Sequence, residues 1–251
     1  MTAKQKMALI VYAPVLVGDD SRPVAVVHGM ERAFPGLRLE WTVSDSHQLI
    51  PLPRRDEWLA QVRRQGGFPL VCNNDAHFPV MISGMEISAR SGSGGQSQSD
   101  IHADLPWDAV GIATAADALE AVAEAARAYW GHATPSMAGL DIARQTKNWA
   151  ANPQPPPRGL PALKLAWDIP APEIPHRLGW VNYWSAAAAR AIGFPDSDRD
   201  AEWLSRARPT ATGGWIVRLT HEPLDLDNPA HLDALKRAYA RFPVIGGRSV
   251  P

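Results

Sequence analysis

Met7-Ala8-Leu9-Ile10-Val11-Tyr12 is an unbroken apolar run, followed by Pro14 and then by Gly18-Asp19-Asp20. Lys4 and Lys6 ahead of it give a superficial likeness to a short export signal. Two features decide against that. Pro14 interrupts the apolar stretch, and Gly18-Asp19-Asp20 follows without a small-x-small cleavage pattern. The run is therefore read as a buried first strand. Nothing in the chain approaches the roughly 18–20 apolar residues that cross a membrane. The expectation is a cytoplasmic protein with no membrane attachment.

Outward from this strand, four helices are predicted. The first begins near Ser21 with Pro23 in its first turn, repeats Val24, Val27, Met30 and Phe34 at helical spacing, and ends at Pro35-Gly36. Its apolar face should lie on Met7–Tyr12 and Leu37–Val43. The second runs from Arg54 to Gln65, burying Trp58, Leu59 and Val62 before Gly66-Gly67 stops it. The third is expected to start at Thr114, with Asp117 completing an imperfect capping box, and to bury Leu119, Val122, Ala123, Ala126 and Trp130. The fourth has Asn228 as N-cap, Pro229 in the first turn, and Leu232, Leu235, Tyr239 and Phe242 on its buried face. Asp225 and Asp227 precede it, and Lys236, Arg237 and Arg241 lie near its end, matching the helix dipole. Strands are expected at Pro69–Asn73, Val80–Ser83, Gln98–Asp104 and Trp215–Thr220 as well as the two already named.

The chain has 251 residues, 45% of them hydrophobic, which supplies ample core material. The formal net charge of −1 argues against a general nucleic-acid binder, which carries a clustered basic excess. Cys72 is the single cysteine, so no disulfide can form within the chain. Residues 152–175 hold eight prolines and read as a semi-rigid strap. The fold class expected is α+β, a mixed or antiparallel sheet with packed helices. The strap would join an N-terminal half, about 1–150, to a C-terminal half, 176–251. That second half has few strands of its own, so the two halves are expected to share one domain over 1–251.

Candidate chemistry is sparse. His221, Glu222, Asp225, Asp227 and His231 fall close together, but their spacing matches no metal motif, and helix capping accounts for the acids. Arg90-Ser91-Gly92-Ser93-Gly94-Gly95 lacks the lysine and the order of a phosphate-binding loop. No Gly-x-Ser-x-Gly elbow and no Gly-x-Gly-x-x-Gly occurs. No catalytic residue, metal or cofactor is therefore expected. The candidates for contact with a partner are two acidic groups, Asp19 with Asp20 and Asp196 with Asp198 and Asp200. An aromatic pair joins them, Trp180 and Trp184, which would share one face if the segment were helical.

Three blocks rich in glycine and tryptophan give these candidates a context. They are Leu178-Gly179-Trp180-Val181-Asn182-Tyr183-Trp184-Ser185, Gly213-Gly214-Trp215-Ile216-Val217-Arg218-Leu219-Thr220, and Leu224-Asp225-Leu226-Asp227-Asn228-Pro229-Ala230-His231-Leu232. In this order they resemble the C-terminal half of the immunity protein 52 family. A related family of functionally unassigned myxobacterial proteins resembles the chain over most of its length, including residues 11–20 and Arg158-Gly159-Leu160-Pro161. The resemblance implies an antidote that neutralises a cognate bacterial toxin by direct binding, without catalysis. It supplies no catalytic residues, and the proline strap and additional tryptophans depart from the family pattern. Two other readings stay open: a metal-dependent hydrolase or nuclease using scattered Asp and His residues, and a tryptophan-rich adaptor that self-associates. The oligomeric state is left open.

Overall fold

The computed structural model describes residues 5–18, 20–63, 67–146 and 154–248. In chain order the first half gives β1 (Lys6–Pro14), α1 (Arg22–Ala33), β2 (Trp41–Val43), β3 (Leu49–Pro51), α2 (Arg55–Arg63), β4 (Phe68–Cys72), β5 (Met81–Ile87), β6 (Gln98–Pro106), α3 (Ala109–Ala126), β7 (Trp130–Pro135) and α4 (Ser136–Ala143). The second half gives β8 (Val181–Trp184), α5 (Ala186–Ile192), α6 (Ala201–Leu204), β9 (Ala207–Pro209), β10 (Trp215–Arg218) and α7 (Pro229–Arg241). The strands form one antiparallel sheet in the order β3-β2-β4-β5-β6-β1-β7-β8-β10-β9. The fold is α+β, with an antiparallel sheet.

Side chains alternate between the two faces of each strand, and this decides what covers each face. Met7, Leu9 and Val11 of β1, with Ile101 and Ala103 of β6 and Ala133 of β7, point to the face packed by α3, on which α1 lies. The two helices approach closely at Gly29, where an added Cβ would stand 2.9 Å from the Ala121 carbonyl oxygen. On the opposite face, register aligns Tyr12, Trp130, Trp184 and Trp215 in one row across β1, β7, β8 and β10. Tyr12 stacks on Trp130 at 4.3 Å between ring centroids. Phe194 meets both Trp184 and Trp215 edge-on, and Phe242, at the end of α7, meets Trp184. Buried residues from both halves thereby join one contiguous core.

The join at β8 depends on the turn before it. Asn182 is buried, and its amide accepts from the Gly179 N–H at 2.8 Å and donates to the Gly179 carbonyl at 3.0 Å. A Cβ on Gly179 would lie 2.2 Å from Thr134 Oγ1, so only glycine lets this turn press against β7. That is the physical content of the Gly-Trp-Val-Asn block.

Both sheet edges are blunted in the same way. Ser44 N–H donates to the Gln48 carbonyl and Leu52 N–H to the Glu40 carbonyl, so the main-chain groups of Ile50 face β2 while those of Leu49 and Pro51 face outward. At the other edge, Thr210 N–H donates to Gly214 and Arg218 N–H to Arg206, which turns Ala207 and Pro209 outward. Each edge thus places a proline where an N–H would otherwise invite another strand.

Several expectations need correction. The third helix starts at Ala109, where the Asp108 carboxylate accepts from the Gly111 N–H; Thr114 lies inside the helix and donates to the Val110 carbonyl. Arg127 adopts φ 54° and ends that helix, so Trp130 begins β7 instead of closing the apolar stripe. Leu37 and Leu39 are buried but only Trp41–Val43 pairs as a strand. The second helix runs over Arg55–Arg63, and its expected last residues, Arg64 and Gln65, lie outside the described residues, as do strap residues 152 and 153. From residue 154 the strap carries only short turns, and it is anchored by buried Leu160, Leu163, Ile169 and Ile174. The fourth helix begins as expected, with Asn228 accepting from the Ala230 N–H.

Asp200 is wholly buried, and both its carboxylate oxygens accept from Arg241, at 2.7 and 3.0 Å. Removing one member of such a pair strands the other charge. Arg241→Met is expected to lower the unfolding free energy by about 3–5 kcal/mol. Replacing exposed Asp198 by Asn should change it by no more than about 0.5 kcal/mol. Urea unfolding of the two variants checks this; similar small shifts in both would contradict the assignment.

Candidate binding face

Most of the residues nominated from sequence are used within the fold. Asp19 lies outside the described residues. Asp20 accepts from the Arg22 side chain at 2.7 Å, and Arg22 in turn donates to the carbonyls of Pro14, Val15 and Ala126, bracing the β1–α1 connection. Trp180 is buried and donates its indole N–H to the Thr220 carbonyl at 3.0 Å. Trp184 is buried among Phe194 and Phe242. The pair sits before and at the end of a strand, not on a helix, and neither indole can meet a partner. Asp196 accepts from the N–H groups of Asp198 and Arg199 to shape a turn, and Asp200 is neutralised by Arg241. Asp198 is the exposed member of that trio.

The His221–His231 stretch builds a helix start. His231 Nδ1 accepts from the Asp225 N–H, and Asp227 pairs with Arg158 at 2.8 Å. Among the described residues no group of three or more His, Cys, Asp or Glu side chains is placed to hold a metal ion. The tryptophan-rich surface expected of an adaptor is also reduced: Trp130, Trp180, Trp184 and Trp203 are buried, and Trp167 is the exposed one among the described residues.

What the structure assembles instead is a half-open sheet face on the side away from α1 and α3. Register lays out three rungs across β5, β6, β1 and β7: Met85–Asp100–Tyr12–Trp130, Ser83–His102–Ile10–His132, and Met81–Asp104–Ala8–Thr134. The β7 side is roofed. His176, the residue directly after the strap, packs against Tyr12 and Trp130 with ring centroids 4.8 and 4.7 Å away, and its Nε2 lies 2.6 Å from Ser93 Oγ. Gly139 of α4 stands over Thr134. The β5–β6 side is not roofed: Met81 and Met85 are exposed, the latter by 64%, and His102 and Asp104 are half-exposed. Exposed Met137 and Leu140 lie on α4, and exposed Trp167 lies on a turn packed against Ser93–Gly95, within the β5–β6 connection.

This face carries two parallel stripes. One, on β5, is apolar at Met81 and Met85 with Ser83 between them. The other, on β6, alternates Asp100, His102 and Asp104. His102 Nε2 lies 3.1 Å from Asp100 Oδ2, and Lys6 Nζ lies 2.9 Å from Asp104. Reading the sequence for partner acids passed over this stripe, although Asp100-Ile101-His102-Ala103-Asp104 shows the polar–apolar alternation of a strand with one wet face. Its chemistry is apolar and adaptable on one side and acidic on the other.

The fold defines the class, an antiparallel α+β sheet protein sheathed by helices on one face and half-roofed on the other. Residues 18–250 match the family described as Domain of unknown function (DUF5953), and the chain belongs to that family. No curated protein matches the sequence. Among solved structures the chain is similar to the Pseudomonas aeruginosa T6SS protein PA0821, with a TM-score of 0.53, 11% identity, and coverage of 95% of this chain and 73% of that one. At that identity the likeness is one of fold.

The roof has a pH signature. His132 and His176 are buried, and burial followed by the charge of Arg177 pushes both imidazoles down to about 3. In the unfolded chain they take up protons near pH 6.5. The unfolded state therefore binds more protons between about pH 3 and pH 6.5, and the stability these groups confer is full above 6.5 and lost as pH falls. From pH 7 to pH 5 the loss is on the order of 2 kcal/mol for each histidine. His176→Gln, which keeps a nitrogen toward Ser93, should remove about one histidine's share of that loss. Urea unfolding at the two pH values reads it; an unchanged pH slope in the variant would refute it.

Proposed function

We propose that this chain is an immunity-type protein that binds a cognate bacterial toxin and neutralises it without chemistry of its own, docking it on the unroofed β5–β6 face. The carrying observation is that face: Met81 and Met85 are exposed on β5, on the side of the sheet that α3 does not pack, beside the acidic stripe of β6. Apolar side chains gathered in one patch and bordered by charge mark protein-contact surfaces. Methionine suits such a surface because its unbranched thioether adapts to a partner's shape.

Two further lines support the reading. The three glycine–tryptophan blocks resemble an immunity family, and the fold resembles a protein that belongs, by its name, to a type VI secretion setting. Within the described residues no helix is long and apolar enough to cross a membrane. An antidote of this kind works in the cytoplasm, by covering the toxin's active surface through an interface of about 800 Å² per partner. The metal-dependent hydrolase and adaptor readings lack a comparable assembly: the first has no metal-holding cluster among the described residues, and the second has Trp167 as its one mostly exposed tryptophan there.

Co-expression with any toxin-like protein encoded beside this gene tests the proposal. The wild-type chain is expected to restore growth and to co-purify with the toxin. Met81→Asp combined with Met85→Asp should weaken binding at least about tenfold, a loss of 1.4 kcal/mol or more. Both sites are exposed, so the melting temperature should stay within a few degrees of wild type. Failure of the wild-type chain to bind or protect against any adjacent toxin overturns the reading.

A further inference from the structure

We infer that the unroofed face holds a seat for one basic side chain, a lysine or arginine of the protein partner, on the Asp100 carboxylate beside Met85. The inference rests on the toxin-binding reading and adds the chemistry of what is bound. Asp100 lies between Met85 on β5 and Tyr12 on β1. It is only 8% exposed, and one of its oxygens, Oδ2, meets His102 Nε2 at 3.1 Å. The other, Oδ1, is shielded from water and has no hydrogen-bond partner among the described residues. Buried polar atoms are nearly always bonded, and one that is not calls for an explanation. A carboxylate oxygen can only accept, so what completes it is a donor, and a charged donor also offsets the carboxylate's charge.

The other acids considered for a partner make the contrast. Asp20 and Asp200 are each neutralised by an arginine of their own chain, Arg22 and Arg241. Arg177, just after the strap, acts on Tyr12 as Asp100 does from β6; its Nε is likewise buried without a partner, and no ion pair joins it to Asp100 among the described residues. Access follows from the neighbours. On the β1 side Tyr12 is buried under Trp130 and His176, whereas on the β5 side Met85 is exposed and unbranched and can swing aside. Met81 and Met85 border that approach with apolar surface. Lysine and arginine place methylene stems on such surface while the charged head reaches a polar group. A bare metal ion would need more ligands than Asp100 and its neighbours bring together. The rim already shows the pairing in miniature, where Lys6 reaches Asp104.

The test uses N-acetylarginine amide as probe and its uncharged isostere N-acetylcitrulline amide as control, followed through the methionine methyl resonances of the intact protein. Saturable shifts at Met81 and Met85 are expected with the arginine probe and not with the citrulline one. Asp100→Asn should abolish them. Met85→Lys, which supplies an ammonium from the chain's own β5, should abolish the remaining shift at Met81 and so tests the seat should Asp100→Asn fold poorly. In toxin binding, Asp100→Asn is expected to weaken the complex at least tenfold. Equal shifts from both probes, none from either, or full retention in both variants would overturn the seat. Toxin binding that depends on Met81 and Met85 but ignores Asp100 defeats the seat and leaves the docking reading standing. A toxin that never binds defeats the docking reading, and the probe titration then decides the seat alone.

Discussion

The seam between β7 and β8 is the contact on which the architecture depends. β8, β9 and β10 are short, with four, three and four residues, and on their own could bury little. Pairing β8 to β7 in the register Trp130↔Trp184 adds them to the larger N-terminal sheet. It also aligns the aromatic row from Tyr12 to Trp215, and each well-placed ring pair in such a row contributes about 0.5–1.5 kcal/mol beyond the area it buries. The turn that delivers β8 to this position needs both Gly179, for clearance from Thr134, and Asn182, to satisfy the backbone of that turn. A substitution at either would disturb the seam before it disturbed any single element.

How far the sequence discloses this differs from element to element, for physical reasons. The strand at Met7–Tyr12 and the helix opening at Asn228-Pro229 are governed by local rules, an apolar run and a cap, and both are found where those rules place them. The start of α3 is less local. Asp108 and Thr114 both fit a cap, and what selects Asp108 is that α3 is long enough to cross under β6, β1, β7 and β8. β8 is the least legible element. Trp180 and Trp184 fit a helix seam as well as a strand, and only pairing with β7, distant in sequence, decides between them. The acids follow the same logic: whether an aspartate is spare depends on whether an arginine reaches it, and Arg241 is 41 residues from Asp200.

The two faces of the sheet divide labour. Helices α1 and α3 cover one face, and the small residues Gly29 and Ala121 let them pack closely. The other face is covered in its C-terminal part by the aromatic cluster and in the middle by the strap, which the Ser93–His176 contact pins to the β5–β6 connection. Beyond Tyr12 the side chains of this face that stay exposed are Met81 and Met85 on β5 and His102 on β6. Proline residues make the strap stiff enough to act as a border, since they restrict the backbone without supplying a strand or helix.

This arrangement also narrows the ways a partner can attach. A sheet offers either its edges, through backbone hydrogen bonds, or a face, through side chains. Pro51 and Pro209 withdraw an outward N–H at each edge, which discourages strand addition by any passing chain. The unroofed face is selective in a different manner, because what it presents are side chains of fixed register. The methionines tolerate varied shapes, whereas an acceptor-only oxygen at Asp100 discriminates by charge: a carboxylate approaching it would add repulsion to an unsatisfied atom, and a guanidinium would relieve both. In the antidote role proposed for it, this chain faces that requirement. It must hold one toxin firmly and ignore the other proteins of its own cell, and an adaptable apolar stripe alone would meet only the first condition.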